Sequence, residues 1–302
     1  MELEELINGA WGRHETETEA VAKELEEHVG LVADPGHAAA FSAVASHTVG
    51  EHLGDWGRAA RLIDAAVDGL EDDAALTSSL ILLGVAREFA EDADGASESF
   101  DRARAFAGDD AVVEVRTHLA RASAYMGVGT SADLLRAHGG AMEVVGTMSD
   151  TRSVDRLVAI ISNNAASHLM ELTELSREEA DGMLRIAAAA KDAWTRAGAW
   201  VNHERADYLM ALVHNRISEW SDGLAAADAG LLTIADNGEE KIDEAFLQLA
   251  RAHALAGLGD DAGRDGALQT ADALASDWDG GLKAYYDSHR ERSLVASTWQ
   301  PA

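Results

Sequence analysis

Six triplets spaced i, i+4, i+7 recur inside alanine-rich stretches: Ala59-Ile63-Ala66, Ala96-Phe100-Ala103, Leu134-His138-Ala141, Ala180-Leu184-Ala187, Gly223-Ala227-Gly230 and Arg264-Leu268-Ala271. That spacing sets three positions, mostly small or apolar, on one face of an α-helix. The triplets begin 37, 38, 46, 43 and 41 residues apart, room for two helices and their turns per interval. A unit of that size recurring along a chain buries its apolar face against its neighbours, so the pattern predicts a stacked array of helical hairpins. Gly54-Asp55-Trp56, Gly129-Thr130-Ser131 and Gly259-Asp260-Asp261 interrupt the periodicity. At each, glycine ends one helix and the following Asp, Thr or Ser caps the next. Thr16 with Glu19, and Ser176 with Glu179, have the capping-box spacing of helix starts. Polar connections at 69–73, 107–110 and 236–239 join successive pairs. The predicted pairs are 2–30, 38–69, 74–107, 111–147, 154–190, 199–235 and 240–275, with a last helix near 280–296. Pro35 and Pro301, the two prolines, fall outside helix interiors, and no segment alternates apolar and polar with β-branched enrichment, so strands are not expected.

Composition narrows the function classes. Hydrophobic residues make up 47% of the 302, ample for a core, yet the densest apolar run, Leu80 to Ala86, is far too short to span a bilayer. The first residues, Met1-Glu2-Leu3-Glu4-Glu5, are acidic where a signal peptide is basic, which points to the cytoplasm. The chain has no cysteine, which excludes disulfides, thiolate zinc sites and cysteine nucleophiles. Lys and Arg number 24 against 54 Asp and Glu, a formal net charge of −30. Such a balance argues against nucleic acid and against anionic membrane surfaces, both of which need cations to neutralise phosphate. The acidity has two readings. One is adaptation to a salt-rich cytoplasm that screens carboxylate repulsion; the other is a GC-rich genome that favours Ala, Arg, Gly and Asp codons.

The best-patterned units are Gly84 with Ala96-Phe100-Ala103, Ala252 with Gly259-Asp260 and Leu268-Ala271, and Ala122 and Tyr125 with Leu134 and Ala141. In these features the chain resembles the tetratricopeptide repeat over about residues 38–278. Residues 1–37 form a degenerate capping hairpin, with Glu24 and Glu27 at apolar positions, and 279–302 a capping helix and tail. The intervals exceed the family's period of about 34 residues, and the proline that usually closes its second helix is absent. The resemblance implies an all-α, right-handed superhelical α-solenoid of about seven antiparallel helical hairpins. It also implies that the first helices of successive hairpins line a concave face that receives a peptide or helix. Carried over residue by residue, that face contains Phe41, Val44, Ile81, Val85, Phe89, Leu119, Met126, Tyr208, Leu212, Phe246 and Leu249. A frame shifted by one residue would turn this set into inter-helix core. An apolar groove in a carboxylate-rich shell suits a protein or peptide partner, such as an amphipathic helix with basic flanks. The family variant that grips a terminal carboxylate uses Lys, Arg and Asn, and Asn163, Asn164 and Arg205 alone would make a poor clamp.

Catalytic and metal motifs are weaker. Asn163, Ser167 and Glu171 fall at i, i+4, i+8, a spacing similar to the second Mg²⁺ motif of class I terpene synthases, with Asp109-Asp110 and Glu114 as the nearest first motif. The segments lie only 54 residues apart, and aromatic residues at 5% are few for a carbocation cavity. His47 with Glu51, Glu114 with His118, and His203 with Asp207 are i, i+4 pairs that could each supply two metal ligands. There is no Glu-x-x-His, His-Glu-x-x-His, Gly-x-Ser-x-Gly or Gly-Lys-Ser/Thr motif. The expectation is therefore a non-catalytic binding scaffold without cofactor or metal. The alternatives are a regulatory sensor for a small ligand or signal peptide, and an all-helical Mg²⁺-dependent enzyme. Unfolding in dilute buffer and in molar KCl separates the two origins of the acidity: a midpoint that climbs with salt marks salt adaptation, and a flat one marks codon usage.

Overall fold

Every regular element in the computed structural model, which describes residues 2–71 and 73–294, is helical. The chain divides into two compact units, meeting between Val154 and Asp155. In the first, α1 (Leu3–Arg13) pairs with α2 (Thr18–His28). Next, α3 (Pro35–Ala45), extended by a π-helical turn (Ser46–His52), pairs with α4 (Trp56–Val67). Then α5 (Thr77–Phe89) pairs with α6 (Ala93–Ala107), and α7 (Asp110–Val128) with α8 (Ser131–Val145). The second unit holds α9 (Asp155–Met170) with α10 (Arg177–Ala197), and α11 (Trp200–Arg216) with α12 (Trp220–Asn237). It ends with α13 (Lys241–Leu258) against α14 (Asp261–Leu274), and α15 (Gly280–Ser293) packed on α13. Within each unit the first helices also touch sideways: α3 on α5, α5 on α7, α9 on α11, α11 on α13. No described helix is long and apolar enough to cross a membrane.

Local chemistry accounts for most boundaries. Gly54 and Gly259 adopt left-handed φ values of 68° and 76°, and the following Asp55 and Asp260 accept the N–H groups of Arg58 and Gly263 at 2.9 Å. Ser176 and Glu179 form the predicted reciprocal capping box of α10. Thr16 and Glu19 do not form the other. The Arg13 carbonyl closes a turn by accepting from the N–H groups of both Thr16 and Glu17, so α2 starts at Thr18 behind Glu17. Helix α10 runs seven residues beyond the expected 190, because nothing breaks it before Gly198 and because Arg196 reaches back to Asp155 at 2.8 Å. The π-helical turn after α3 was not expected. The final two positions of the expected last helix, like Pro301, lie outside the described residues.

The triplets form the buried stripe. Ala59-Ile63-Ala66, Ala96-Phe100-Ala103, Leu134-His138-Ala141 and Gly223-Ala227-Gly230 are entirely buried. In α10 the half-buried Leu184 yields the deepest place to Met183, one position earlier. His138 is a core residue, and burial pushes its pKa down to about 4, so it is a neutral packing group at physiological pH. Close helix approach depends on missing side chains. A Cβ on Gly84 of α5 would lie 2.4 Å from the Phe100 ring of α6. The same holds for Gly50 against Trp56 and, at 2.2 Å, for Gly257 against Trp220. Gly84→Ala should therefore lower stability by about 1–3 kcal/mol in urea unfolding through overpacking. Gly266→Ala, in a helix position with open space around it, should raise stability by up to about 1 kcal/mol through helix propensity alone.

Candidate functional site

In the second unit, side chains three or four residues apart on α9, α11, α13 and α15 share one face, as helical periodicity requires. Helix α9 supplies Asn163, Ser167 and Met170, with Glu171 just past its end; α11 supplies Arg205, Tyr208, Leu212 and Arg216. Helix α13 supplies Ile242, Phe246, Leu249 and His253, and α15 supplies Leu282, Tyr285, His289 and Arg292. Together they bound a cavity of about 740 Å³. The other cavity described, about 390 Å³ around Arg61, Asp64 and Arg102, lies in the first unit on α4, α6 and the loop after α4.

Phe246 is the hub of the wall. Its ring centroid lies 5.4 Å from Tyr285, 5.4 Å from His289, 6.0 Å from Tyr286, 6.2 Å from Trp278 and 6.4 Å from Tyr208. Three of the four tyrosines in the chain thus gather around one phenylalanine, which gives an aromatic-poor protein one aromatic-rich place. Burial lowers the pKa of His253 and of His289, so both are neutral at pH 7 and the cavity's cations are its arginines. Arg205 donates to Asp243 at 2.8 Å, and Arg216 donates to the Leu172 carbonyl at 2.9 Å. Arg292, on an exposed position of α15, makes no ion pair among the described residues.

Behind this wall Glu204 is fully buried. Burial, and then the neighbouring Asp243 carboxylate, raise its pKa far above the usual carboxylate range, so it is held protonated at neutral pH. Asp243 therefore sits between a carboxylic acid and the Arg205 guanidinium, which fixes where α13 lies against α11.

Of the groove residues expected from sequence, Tyr208, Leu212, Phe246 and Leu249 come together in this cavity. Phe41, Val44, Ile81, Val85 and Leu119 are at most 2% exposed and belong to helix–helix core in the first unit. Phe89 is half-buried between Trp56, tilted at 4.9 Å, and Tyr125, edge-on at 5.1 Å, and Met126 is half-buried on α7. Asn163, Ser167 and Glu171 do share the cavity, whereas Asp109 is occupied in capping α7 through the Ala111 N–H at 2.9 Å. Among the histidine pairs, Asp207 engages Lys191 at 2.6 Å, and only His47–Glu51 closes, at 2.5 Å. Sequence reasoning missed the contribution of α15. Its signal was legible: Tyr285, His289 and Arg292 fall at i, i+4, i+7 on a helix treated as a cap. No family model matches this chain, and none of the curated proteins matches it in sequence.

Because Glu204 binds its proton more tightly folded than unfolded, its contribution to stability is full below the ordinary carboxylate pKa and is lost as pH rises toward the raised one. Glu204→Gln, which keeps the shape of the protonated acid, should therefore gain in melting temperature relative to wild type between pH 5 and pH 8. Parallel curves over that range would mean that Glu204 is ionised.

Proposed function

We propose that this chain is a non-catalytic binding module of the tetratricopeptide-repeat kind, acting in the cytoplasm. Its second-unit cavity receives a short amphiphilic peptide segment that carries an acidic group. The observation that carries the reading is the convergence of four alternate helices, α9, α11, α13 and α15, on one aromatic-walled cavity. Its three arginines outnumber the two carboxylates, Glu171 and Asp243, in a chain whose net charge is −30. A volume near 740 Å³ falls in the range of roughly 300–1000 Å³ typical of ligand cavities. That size favours a few peptide residues over a long helix. Tyr285, Phe246 and Leu212 offer apolar anchors, Asn163 and Ser167 offer polar contacts, and Arg292 offers a cation for a carboxylate. Basic residues flanking the bound segment would meet the acidic surface outside the cavity.

A second reading draws on Asn163, Ser167 and Glu171, whose side chains line the same cavity, as an Mg²⁺ site. Millimolar Mg²⁺ that leaves the melting temperature unchanged would remove it.

Selection from a displayed random-peptide library tests the main reading. Wild type should enrich apolar peptides with an acidic residue, and Tyr285→Ala and Arg292→Glu should each weaken the best peptide by about tenfold or more. Arg136→Ala, at an exposed position of the first unit, should leave the affinity unchanged. Absence of enrichment, or peptides insensitive to both cavity variants, would refute the assignment.

A further inference from the structure

Three histidines converge in the first unit, where α1 meets the π-helical turn. The His14 Nδ1 lies 2.7 Å from the Trp11 carbonyl. A carbonyl only accepts, so Nδ1 carries the hydrogen and Nε2 keeps its lone pair. The His47 Nδ1 lies 2.5 Å from the Glu51 carboxylate, which fixes the same tautomer and again leaves Nε2 as the bare nitrogen. The His52 Nε2 stands 3.2 Å from the His47 Nε2. One ligand nitrogen from each ring falls within 4.8 Å of the others, and the ring centroids are 4.6–5.2 Å apart.

The backbone is arranged for this convergence. In an α-helix, residues five apart diverge by about 140° around the axis; the π-helical register of Ser46–His52 brings His47 and His52 to one side. Gly50 sits inside that turn against the Trp56 ring, which a Cβ would meet at 2.4 Å, so the widened turn and the packing of α4 are coupled.

We propose that His14, His47 and His52 form a three-imidazole site for a divalent transition-metal ion of the Zn²⁺ type. A separation of 3.2 Å between two ligand nitrogens matches one edge of a tetrahedron with metal–nitrogen bonds of about 2.0–2.1 Å. Without metal, the His52 Nε2–H donates to His47; a bound ion takes the place of that hydrogen as His52 adopts its other tautomer. Glu51 and the Trp11 carbonyl are the orienting partners that metal-bound histidines use, and they set ring direction and raise ligand basicity. Neutral imidazoles select Zn²⁺, Cu²⁺, Ni²⁺ or Co²⁺ over Mg²⁺ and Ca²⁺, which prefer oxygen. The fourth position falls to water or to Glu15, whose carboxylate is 3.9 Å from the His14 Nε2. His52 is exposed, which gives the ion its entry. Bound metal would staple the end of α1 to the second hairpin.

The test uses the untagged full chain, with Zn²⁺ titrated by calorimetry and Co²⁺ by visible absorption. The expected result is one Zn²⁺ per chain, a tetrahedral Co²⁺ spectrum displaced by Zn²⁺, and a melting temperature that rises with Zn²⁺. His52→Ala and His14→Gln should each weaken Zn²⁺ binding by about tenfold or more, and Glu51→Gln should do so through loss of orientation. His37→Ala, at a histidine outside the cluster, should change nothing. Circular dichroism establishes that each variant is folded. Equal affinity in wild type and a folded His52→Ala, or Zn²⁺ binding no stronger than that of Ca²⁺ to this acidic surface, overturns the site.

Discussion

Close contact between a large ring on one helix and a missing side chain on its neighbour sets how closely helices pack in this array. Phe100 lies over Gly84, Trp56 over Gly50 and Trp220 over Gly257, each at a distance that a single methyl group would violate. Interiors packed at crystalline density relax little, so the first two contacts fix the distance between the helices of a hairpin, and the third fixes the distance between α12 and α13 of neighbouring hairpins. Within each unit the first helix of one hairpin also reaches the first helix of the next, α3 to α5 to α7 and α9 to α11 to α13.

The second-unit cavity concentrates what the rest of the chain lacks. Aromatic residues are scarce overall, yet Phe246 gathers Tyr208, Trp278, Tyr285 and Tyr286 around itself. Carboxylates dominate the composition, yet the one behind the cavity, Glu204, is kept neutral by its burial, and Asp243 is matched by Arg205. Burial also neutralises His253 and His289, so the charges of the wall are its three arginines against Glu171 and Asp243. An acidic protein thereby offers a locally cationic, apolar recess, a combination that discriminates among partners by charge as well as by shape.

Helical periodicity made the array of hairpins readable in advance, because the i, i+4, i+7 stripe and the Gly-Asp turns are local signals. Ala96-Phe100-Ala103 is buried and Gly259-Asp260 closes its turn with a left-handed glycine and an N-cap. Tyr208, Leu212, Phe246 and Leu249 line the cavity, while Phe41, Val44, Ile81, Val85 and Leu119 sit in core. Both sets are apolar and both lie on first helices. What separates them is how the neighbouring helices pack around each position, which apolar composition does not encode.

The sequence by itself determined the helices and their pairing, since each follows from residues within one hairpin. Only tertiary structure decided which apolar face meets solvent, that Glu204 keeps its proton beside Asp243, and that α15 completes the cavity wall. It alone also placed His14 beside His47 and His52, across 33 residues of chain and through a π-helical turn that no local signal announced. Periodicity and capping act within a few residues, whereas desolvation, charge pairing and ligand convergence depend on distances that the folded chain alone establishes.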